Sequence, residues 1–402
     1  MSNRHMPYDL AQMQSLPLEA KERMSMQRIK VWFESWKKYT IYDKETKKTR
    51  YVTHTDEPSL KATEYTEAVE DGQVYVSFSG GKDSTVLADL CAKVCKECGY
   101  ALYLLFVNTG LEYPEIQKFV KTFAEWLRNK YEIEVHLEIV RPEMRFDEVL
   151  KVHGYPVFSK ESAGNIQYGR NALQNGDLEK VNRYFYGIRK GKKDGKTYQY
   201  MKLSEAALDF AMNSNIPASN KCCMVMKKKP SHRYELTTGR KSIIGTLATE
   251  SNLRLRAWVK DGCNAFTAKK QVSRPLSFWT NQDILHYIKK YNVPYCSVYG
   301  DIVFDSGSEV TDGQTNIIDF TGEYEPEDKL KTTGCDRTGC IFCMFGCHLE
   351  KEPNRFQRLK ETHPRQYEYC IGGGEMVDGK WQPSKEGLGL GKVLDFIGVK
   401  YE

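Results

Sequence analysis

Apolar residues recur along this chain in two alternating rhythms. From Val74 to Phe78 the run is apolar and β-branched, without the polar alternation of a half-exposed strand. It predicts a strand buried on both faces. Ser79-Gly-Gly81 stops it, because paired glycines permit a tight turn. Residues 82–97 then carry Val86, Leu87, Leu90, Cys91 and Val94 at helical spacing. The same rhythm returns in a strand over Ala101–Val107, a helix entered through Tyr113-Pro114, a strand over Glu134–Val140 and a strand end at Ile243-Ile-Gly245. Strand, helix and strand in this order imply right-handed βαβ units. The predicted class is α/β, a twisted parallel sheet with helices on both faces.

The flanks are less regular. In Leu18–Lys48, Met26, Ile29, Phe33 and Trp36 fall at helical spacing among basic residues. An amphipathic helix that buries this stripe is the favoured reading over a nucleic-acid surface. Residues 60–70 read as a second helix. Residues 155–220 interrupt the alternation with helices over Ala172–Tyr186 and Ser204–Met212. Between them Arg189–Lys196 is a basic, Gly-containing loop. It reads as solvated charge, with an anionic macromolecule as the alternative. Thr280–Ile288 is a capped helix, Asp301–Asp328 acidic loops, and Lys380–Gly391 a Gly-rich surface loop. Arg355, Arg358, Lys360 and Arg365 lie beside aromatics, as a solvated helix face or a docking face for a phosphate-bearing partner. The expected organisation is an N-terminal helical extension (1–70), a nucleotide domain (71–290, with a helical insertion at about 155–220) and a smaller Cys-rich C-terminal lobe (291–402).

Composition changes the picture only at two points. A net charge of +6 over 402 residues is mildly basic and compatible with an anionic substrate. Twelve cysteines argue for metal or redox chemistry over disulfides in the cytoplasmic setting expected here. The first residues have no apolar segment of the secretory kind. No apolar run is long enough to span a membrane, so no membrane partner is expected.

The chemistry concentrates at the first turn. A strand, a Gly-rich turn and a helix N-terminus present free backbone N–H groups to an anion, and Lys82 adds positive charge. The P-loop pattern needs Ser or Thr directly after the Lys, where this chain has Asp83. Ser79-Gly-Gly-Lys-Asp-Ser84 instead resembles the PP-loop of the ATP pyrophosphatases, which hold the β,γ-pyrophosphate of ATP while the α-phosphorus is attacked. In a parallel sheet, ligands sit beyond the carboxyl ends of the strands. Asn108, Thr109, Gly110 and Glu112 are therefore candidates for nucleotide or metal contacts, or plain turn residues. Arg254 and Arg256 offer planar forks for phosphate, or are surface arginines.

Further motifs narrow the resemblance. In order come Ser79–Ser84, Asn108-Thr-Gly110, Lys221-Cys-Cys223 with Lys227 and Pro230, Gly245 through Glu250-Ser251 to Arg254, and Pro275-Leu through Trp279-Thr280 to Asp283-Ile284. Together they resemble the phosphoadenosine phosphosulfate (PAPS) reductase family over about residues 75–290. The resemblance implies nucleotide contacts from Ser79, Gly80, Gly81, Lys82, Asp83, Ser84, Asn108, Thr109, Gly110, Gly245, Glu250 and Arg254, with Lys82 and Asp83 catalytic. Reductases of that family generally carry a degenerate PP-loop and a Cys-containing tail. Here the loop is intact and Ile397–Glu402 holds no Cys. Both features favour use of ATP with Mg²⁺, as in the branch that resembles the DNA phosphorothioation sulfurtransferase.

Cysteines cluster in Cys335-x4-Cys340-x2-Cys343-x3-Cys347, with Cys222 and Cys223 adjacent elsewhere. Such spacing suits zinc or an iron–sulfur cluster. The iron–sulfur branch of the resembled family implies Cys222, Cys223, Cys340 and Cys343 as ligands of a [4Fe–4S] cluster, leaving Cys335 and Cys347 as catalytic thiols. The alternative is Cys335, Cys340, Cys343 and Cys347 around Zn²⁺ or a cluster. Cys91, Cys95 and Cys98 share one helical face, which burial explains.

The reading is an ATP-dependent enzyme that adenylates an acceptor, expected to be nucleic acid, and then transfers sulfur from a donor such as a cysteine desulfurase. It works as a homo-oligomer or within a complex. The alternatives are a PAPS or adenylyl-sulfate reductase that forms sulfite, and a nucleotide- or cluster-sensing subunit without turnover.

Overall fold

A computed structural model describes residues 6–43, 47–53, 66–191, 195–305 and 329–402. The chain divides into two compact units, each assembled from separated segments. The first takes residues 1–107, 113–140 and 231–338; the second takes 108–112, 141–230 and 339–402. These boundaries differ from the three consecutive segments read from the sequence. The N-terminal helix is part of the first unit's core, and the C-terminal residues pack with 141–230.

The first unit is built on a six-stranded sheet. Its order is Asn264–Ala265, Val272–Ser273, Lys241–Ile244, Val74–Ser77, Leu102–Val107 and Val135–Val140. All neighbours are parallel except the first pair. Val74–Ser77 and Leu102–Val107 carry the apolar runs of strands covered on both faces. After Val74–Ser77 the chain adds its next two strands on one side and returns with Lys241–Ile244 on the other. The reversal makes Val74–Ser77 the topological switch point, where parallel sheets open a crevice at their carboxyl edge. Ser77 pairs with Ile244, so the turns after both strands leave the sheet at that edge.

Helices Lys82–Cys98 and Pro114–Tyr131 follow two of these strands. The helix Leu18–Trp36 buries Ile29, Trp32, Phe33 and Trp36 in the same core, so its aromatic stripe is packing and not a nucleic-acid surface. Lys21 anchors it to Asp283 at 2.8 Å, and Trp279 donates to Ser25 at 2.9 Å. Asp89, fully buried on the Lys82–Cys98 helix, accepts from the hydroxyls of Tyr131 at 2.8 Å and Tyr287 at 2.7 Å, with Lys130 at 3.3 Å. A buried carboxylate satisfied this fully ties three helices together.

Several local expectations change. Thr66–Gly72 is a strand, pairing with Lys37–Asp43 in a three-stranded sheet, and not a helix; residues 60–65 lie outside the described residues. Ile302–Phe304 pairs with Leu330–Thr332 where loops were expected, and residues 306–328 lie outside the described residues.

The second unit is mostly helical. Residues 172–186 form the end of one helix, Lys160–Gln174, and a second, Leu178–Phe185. Gly176, at φ +69°, breaks them, and the Asp177 side chain caps the second. Arg170 binds the carbonyls of Phe210, Ala211, Ser214 and Ile216, closing Lys160–Gln174 onto Glu205–Asn213. Gly169 lies where a Cβ would come within 2.1 Å of the Phe185 ring. Residues 380–391 are not simply a surface loop: Lys380–Gln382 pairs with Glu375–Val377, and Leu388 and Leu390 are buried.

Candidate functional site

The turn after Val74–Ser77 is held by its own hydroxyls. Ser84 Oγ donates to the Gly81 carbonyl at 2.8 Å and meets Ser79 Oγ at 3.1 Å, while Thr85 Oγ1 donates to the same carbonyl at 3.0 Å. Gly80 has φ +72°, and a Cβ there would press Ile116 and Val120 at 3.0 Å. Glycine is required both for the backbone angle and for the helix behind it. A Cβ on Gly245 would approach the Asp83 carbonyl to 2.9 Å. Gly245 therefore brings a second strand end against the loop.

Lys82 is buried beneath this turn. Its backbone N–H donates to Tyr299 Oη at 3.1 Å, and its ammonium donates to the Asp336 carbonyl at 3.2 Å. Tyr299 Oη in turn meets Thr338 Oγ1 at 2.8 Å, and burial pushes the phenol up to about 12. Asp83 Oδ1 is buried with no hydrogen-bond partner and lies 3.8 Å from the Lys82 ammonium. Burial pushes the Asp83 carboxyl up, against the pull of Lys82, Arg337 and Arg254. Glu250 pairs with Arg254 and lies 3.8 Å from Arg337. Burial lowers the Arg254 guanidinium, and the neighbouring positive charge of Arg337 lowers it further. Two guanidiniums around one carboxylate leave excess positive charge beside the turn.

Tyr299, Asp336, Arg337 and Thr338 were not singled out by the sequence reading, which treated 335–347 only as a thiol loop. Gly334 carries the usable signal. A Cβ there would meet the Val298 carbonyl at 2.5 Å, and the N–H groups of Gly334 and Cys335 bond Tyr299 and Val298. The Gly-Cys-Asp-Arg-Thr stretch is thus laid against 298–300 in the unit that holds the turn. Cys335, half-buried, donates to Tyr113 Oη at 3.7 Å.

In the second unit, residues 108–112 form a self-contained turn. The Glu112 carboxylate accepts from the Thr109 N–H at 3.0 Å and hydroxyl at 2.7 Å, and Asn108 Oδ1 accepts from Gly110 at 3.0 Å. The polar groups proposed for nucleotide are here engaged in turn bonds.

Cys222 and Cys223 precede the π-turn Met224–Lys228, and Cys340 and Cys343 come from a stretch more than a hundred residues later. The structure brings these four thiols into one electrostatic neighbourhood. Burial raises Cys222, and the nearby Cys340, Cys223 and Cys343 raise it further. Burial pushes Cys340 up to about 11, against the pull of Lys227, which hydrogen-bonds it. Glu112 also acts on Lys227 and Cys340. Among the described residues, no group of three or more His, Cys, Asp or Glu side chains is placed to hold a metal ion, Cys222, Cys223, Cys340 and Cys343 included. Cys347 lies apart in character: buried, bonded to the Met344 carbonyl at 3.1 Å and pushed up by burial to about 12. Arg355 binds Glu350 and the Cys343 carbonyl, so it is a strut and not part of a free basic face.

A family model, the phosphoadenosine phosphosulfate reductase domain, matches residues 73–206 and 192–344. The chain belongs to this family. It carries a PAPS reductase-like PP-loop domain. No curated protein matches it. Among solved structures it is similar to a PAPS reductase from Candida auris solved with phosphate (15% identity, 56% of this chain and 75% of that one, TM-score 0.28). It is also similar to a U34-tRNA thiolase from Methanococcus maripaludis with its [4Fe–4S] cluster (13%, 69% and 66%, TM-score 0.30). A third is an NMN synthetase from Francisella tularensis (13%, 55% and 62%, TM-score 0.23). The chain spans less than two thirds of the second and third structures' own lengths. No helix among the described residues is long and apolar enough to cross a membrane.

Proposed function

We propose that this PAPS reductase family chain uses ATP to adenylate an acceptor and then exchanges the adenylated oxygen for sulfur. The observation that carries the reading is the intact Ser79–Ser84 turn with a buried Lys82 and an orphaned Asp83 oxygen. Phosphate oxygens replace Tyr299 Oη on the Lys82 N–H and the Asp336 carbonyl on its ammonium. Asp83 Oδ1 fits Mg²⁺, which is usually held by one or two carboxylates together with substrate phosphates. An acceptor oxygen attacks the α-phosphorus, and the bond to the β-phosphate oxygen breaks with its electron pair leaving on pyrophosphate. Lys82 and the turn neutralise that charge as it develops.

Sulfur arrives as a persulfide on Cys335, loaded by a cysteine desulfurase. Its terminal sulfur attacks the atom that bears the adenylated oxygen, and AMP leaves with that oxygen. A second thiol then attacks the protein sulfur, releasing the thiolated acceptor and leaving a protein disulfide that a dithiol reductant resets. Cys335 suits this role better than Cys347, whose buried, hydrogen-bonded thiol is of the inert structural kind.

Cys222, Cys223, Cys340 and Cys343 fit a [4Fe–4S] cluster in donor type. A four-iron cluster would take one thiolate from each of the four. When bound, such a cluster would supply soft iron–sulfur chemistry at these thiols, and Lys227 would balance the charge of Cys340, which it hydrogen-bonds. The acceptor is nucleic acid, as in the phosphorothioation sulfurtransferase branch, and the reaction is cytoplasmic.

The test is radiolabelled ATP with candidate acceptors: AMP-linked acceptor and pyrophosphate are expected. Sulfite from adenylyl sulfate and a dithiol, without pyrophosphate from ATP, would move the chain to the reductase reading. Tight ATP binding with no turnover in any complex would move it to a sensing role.

A further inference from the structure

Residues 183–202 in the second unit stand out in charge and in exposure. The sequence there holds Arg183, Arg189, Lys190, Lys192, Lys193, Lys196 and Lys202 against one acid, Asp194. Ile188–Lys190 and Thr197–Gln199 form an antiparallel hairpin in which all six residues are exposed. A hairpin with neither face buried contributes little to a core.

The register sorts its side chains. Arg189 pairs directly with Tyr198, so the two share one face. Tyr200, two residues on, falls on the same face, and the Arg189 guanidinium lies 4.9 Å from its ring centroid. Tyr198 is 41% exposed and Tyr200 56%. At the hairpin's base, Arg183 lies over the Tyr184 ring, which packs against Tyr168 at 5.4 Å. Gly187 admits the returning strand, since a Cβ there would meet the Tyr200 carbonyl at 2.7 Å.

We infer that this hairpin binds single-stranded nucleic acid, with Tyr198 and Tyr200 stacking on unpaired bases and Arg189, on the same face, contacting the backbone. Exposed rings interleaved with cations are what single strands recognise, because every base offers a π-face and every linkage a charge. A duplex buries its base faces and offers only phosphate. The inference deepens the nucleic-acid reading of the acceptor, but it concerns binding and needs no turnover.

Fluorescence anisotropy with the full chain, without ATP, tests it on a fluorescein-labelled 20-mer, as single-stranded RNA, single-stranded DNA and the matching duplex. The expected result is tighter binding to a single strand than to the duplex. Tyr198→Ala and Tyr200→Ala should each weaken that binding about tenfold. Arg189→Gln should lower the salt slope by roughly 0.7, while Lys121→Gln leaves it unchanged. Equal affinity of wild type and the tyrosine variants, or a preference for duplex, overturns the inference. Lys82→Ala should bind the oligonucleotide normally while losing pyrophosphate release. A wild-type chain that binds the oligonucleotide but releases no pyrophosphate from ATP tells against the proposed reaction alone, and single-strand binding unchanged in the tyrosine variants tells against the hairpin alone.

Discussion

The two units reach a chemical site by opposite routes. In the first, strand, turn and helix N-terminus are consecutive, and Ser79–Ser84 bonds to itself through Ser79, Gly81 and Ser84. In the second, the thiols come from 222–223 and 340–343, and only folding brings them together. An anion cradle is a property of local backbone geometry. A soft-donor set is a property of topology. The first should survive changes that ruin the second, and the reverse.

The largest effect should come from Lys82→Ala. Removing one preorganised positive group should cut pyrophosphate release by about 10²- to 10³-fold, while iron, sulfide and zinc content stay at wild-type levels. Next, Cys340→Ser or Cys222→Ser should remove most bound metal from anaerobically prepared protein and leave ATP binding to the first unit intact. Metal retained in both variants would show that the ligands lie elsewhere. Third, Asp89→Ala orphans two tyrosine hydroxyls and Lys130 and should destabilise the first unit by about 3 kcal/mol, read from urea unfolding. Fourth, Gly169→Ala drives a methyl into Phe185 and should cost the second unit roughly 1–3 kcal/mol.

The smallest is a pH effect. Burial, with Lys229 and Lys221 adding to it, holds His153 below its ordinary imidazole range. As pH falls, the unfolded chain takes up this proton first, so the stabilisation is full above pH 6.5 and is lost below it. The urea midpoint should drop slightly on acidification, and less so in His153→Gln.

The difference between the units also explains what the sequence made legible. The sheet strands, the turn and the buried N-terminal stripe could be read because each is written in one contiguous pattern. The pairing of Cys222 and Cys223 with Cys340 and Cys343 could be posed only through family resemblance, since no local period relates them. Tyr299, Arg337 and Thr338 were missed for the same reason. They reach the turn through the contact of Gly334 with 298–300, which leaves no mark but a glycine. The break of residues 172–186 into two helices was written locally, in Asn175-Gly-Asp177, and is a turn signal passed over. Residues 60–70 misled because strand Thr66–Gly72 is specified by its partner Lys37–Asp43 more than by its own pattern.

One measurement bears most directly on the central claim. ATP labelled at the α-phosphate is incubated with the protein, Mg²⁺ and single-stranded nucleic acid, and the products are separated. The account predicts label in AMP or in an adenylated acceptor, with an equal amount of pyrophosphate, and neither in Lys82→Ala. Label in ADP, with phosphate released, would contradict it, because the turn would then be presenting the γ-phosphorus and not the α-phosphorus to attack.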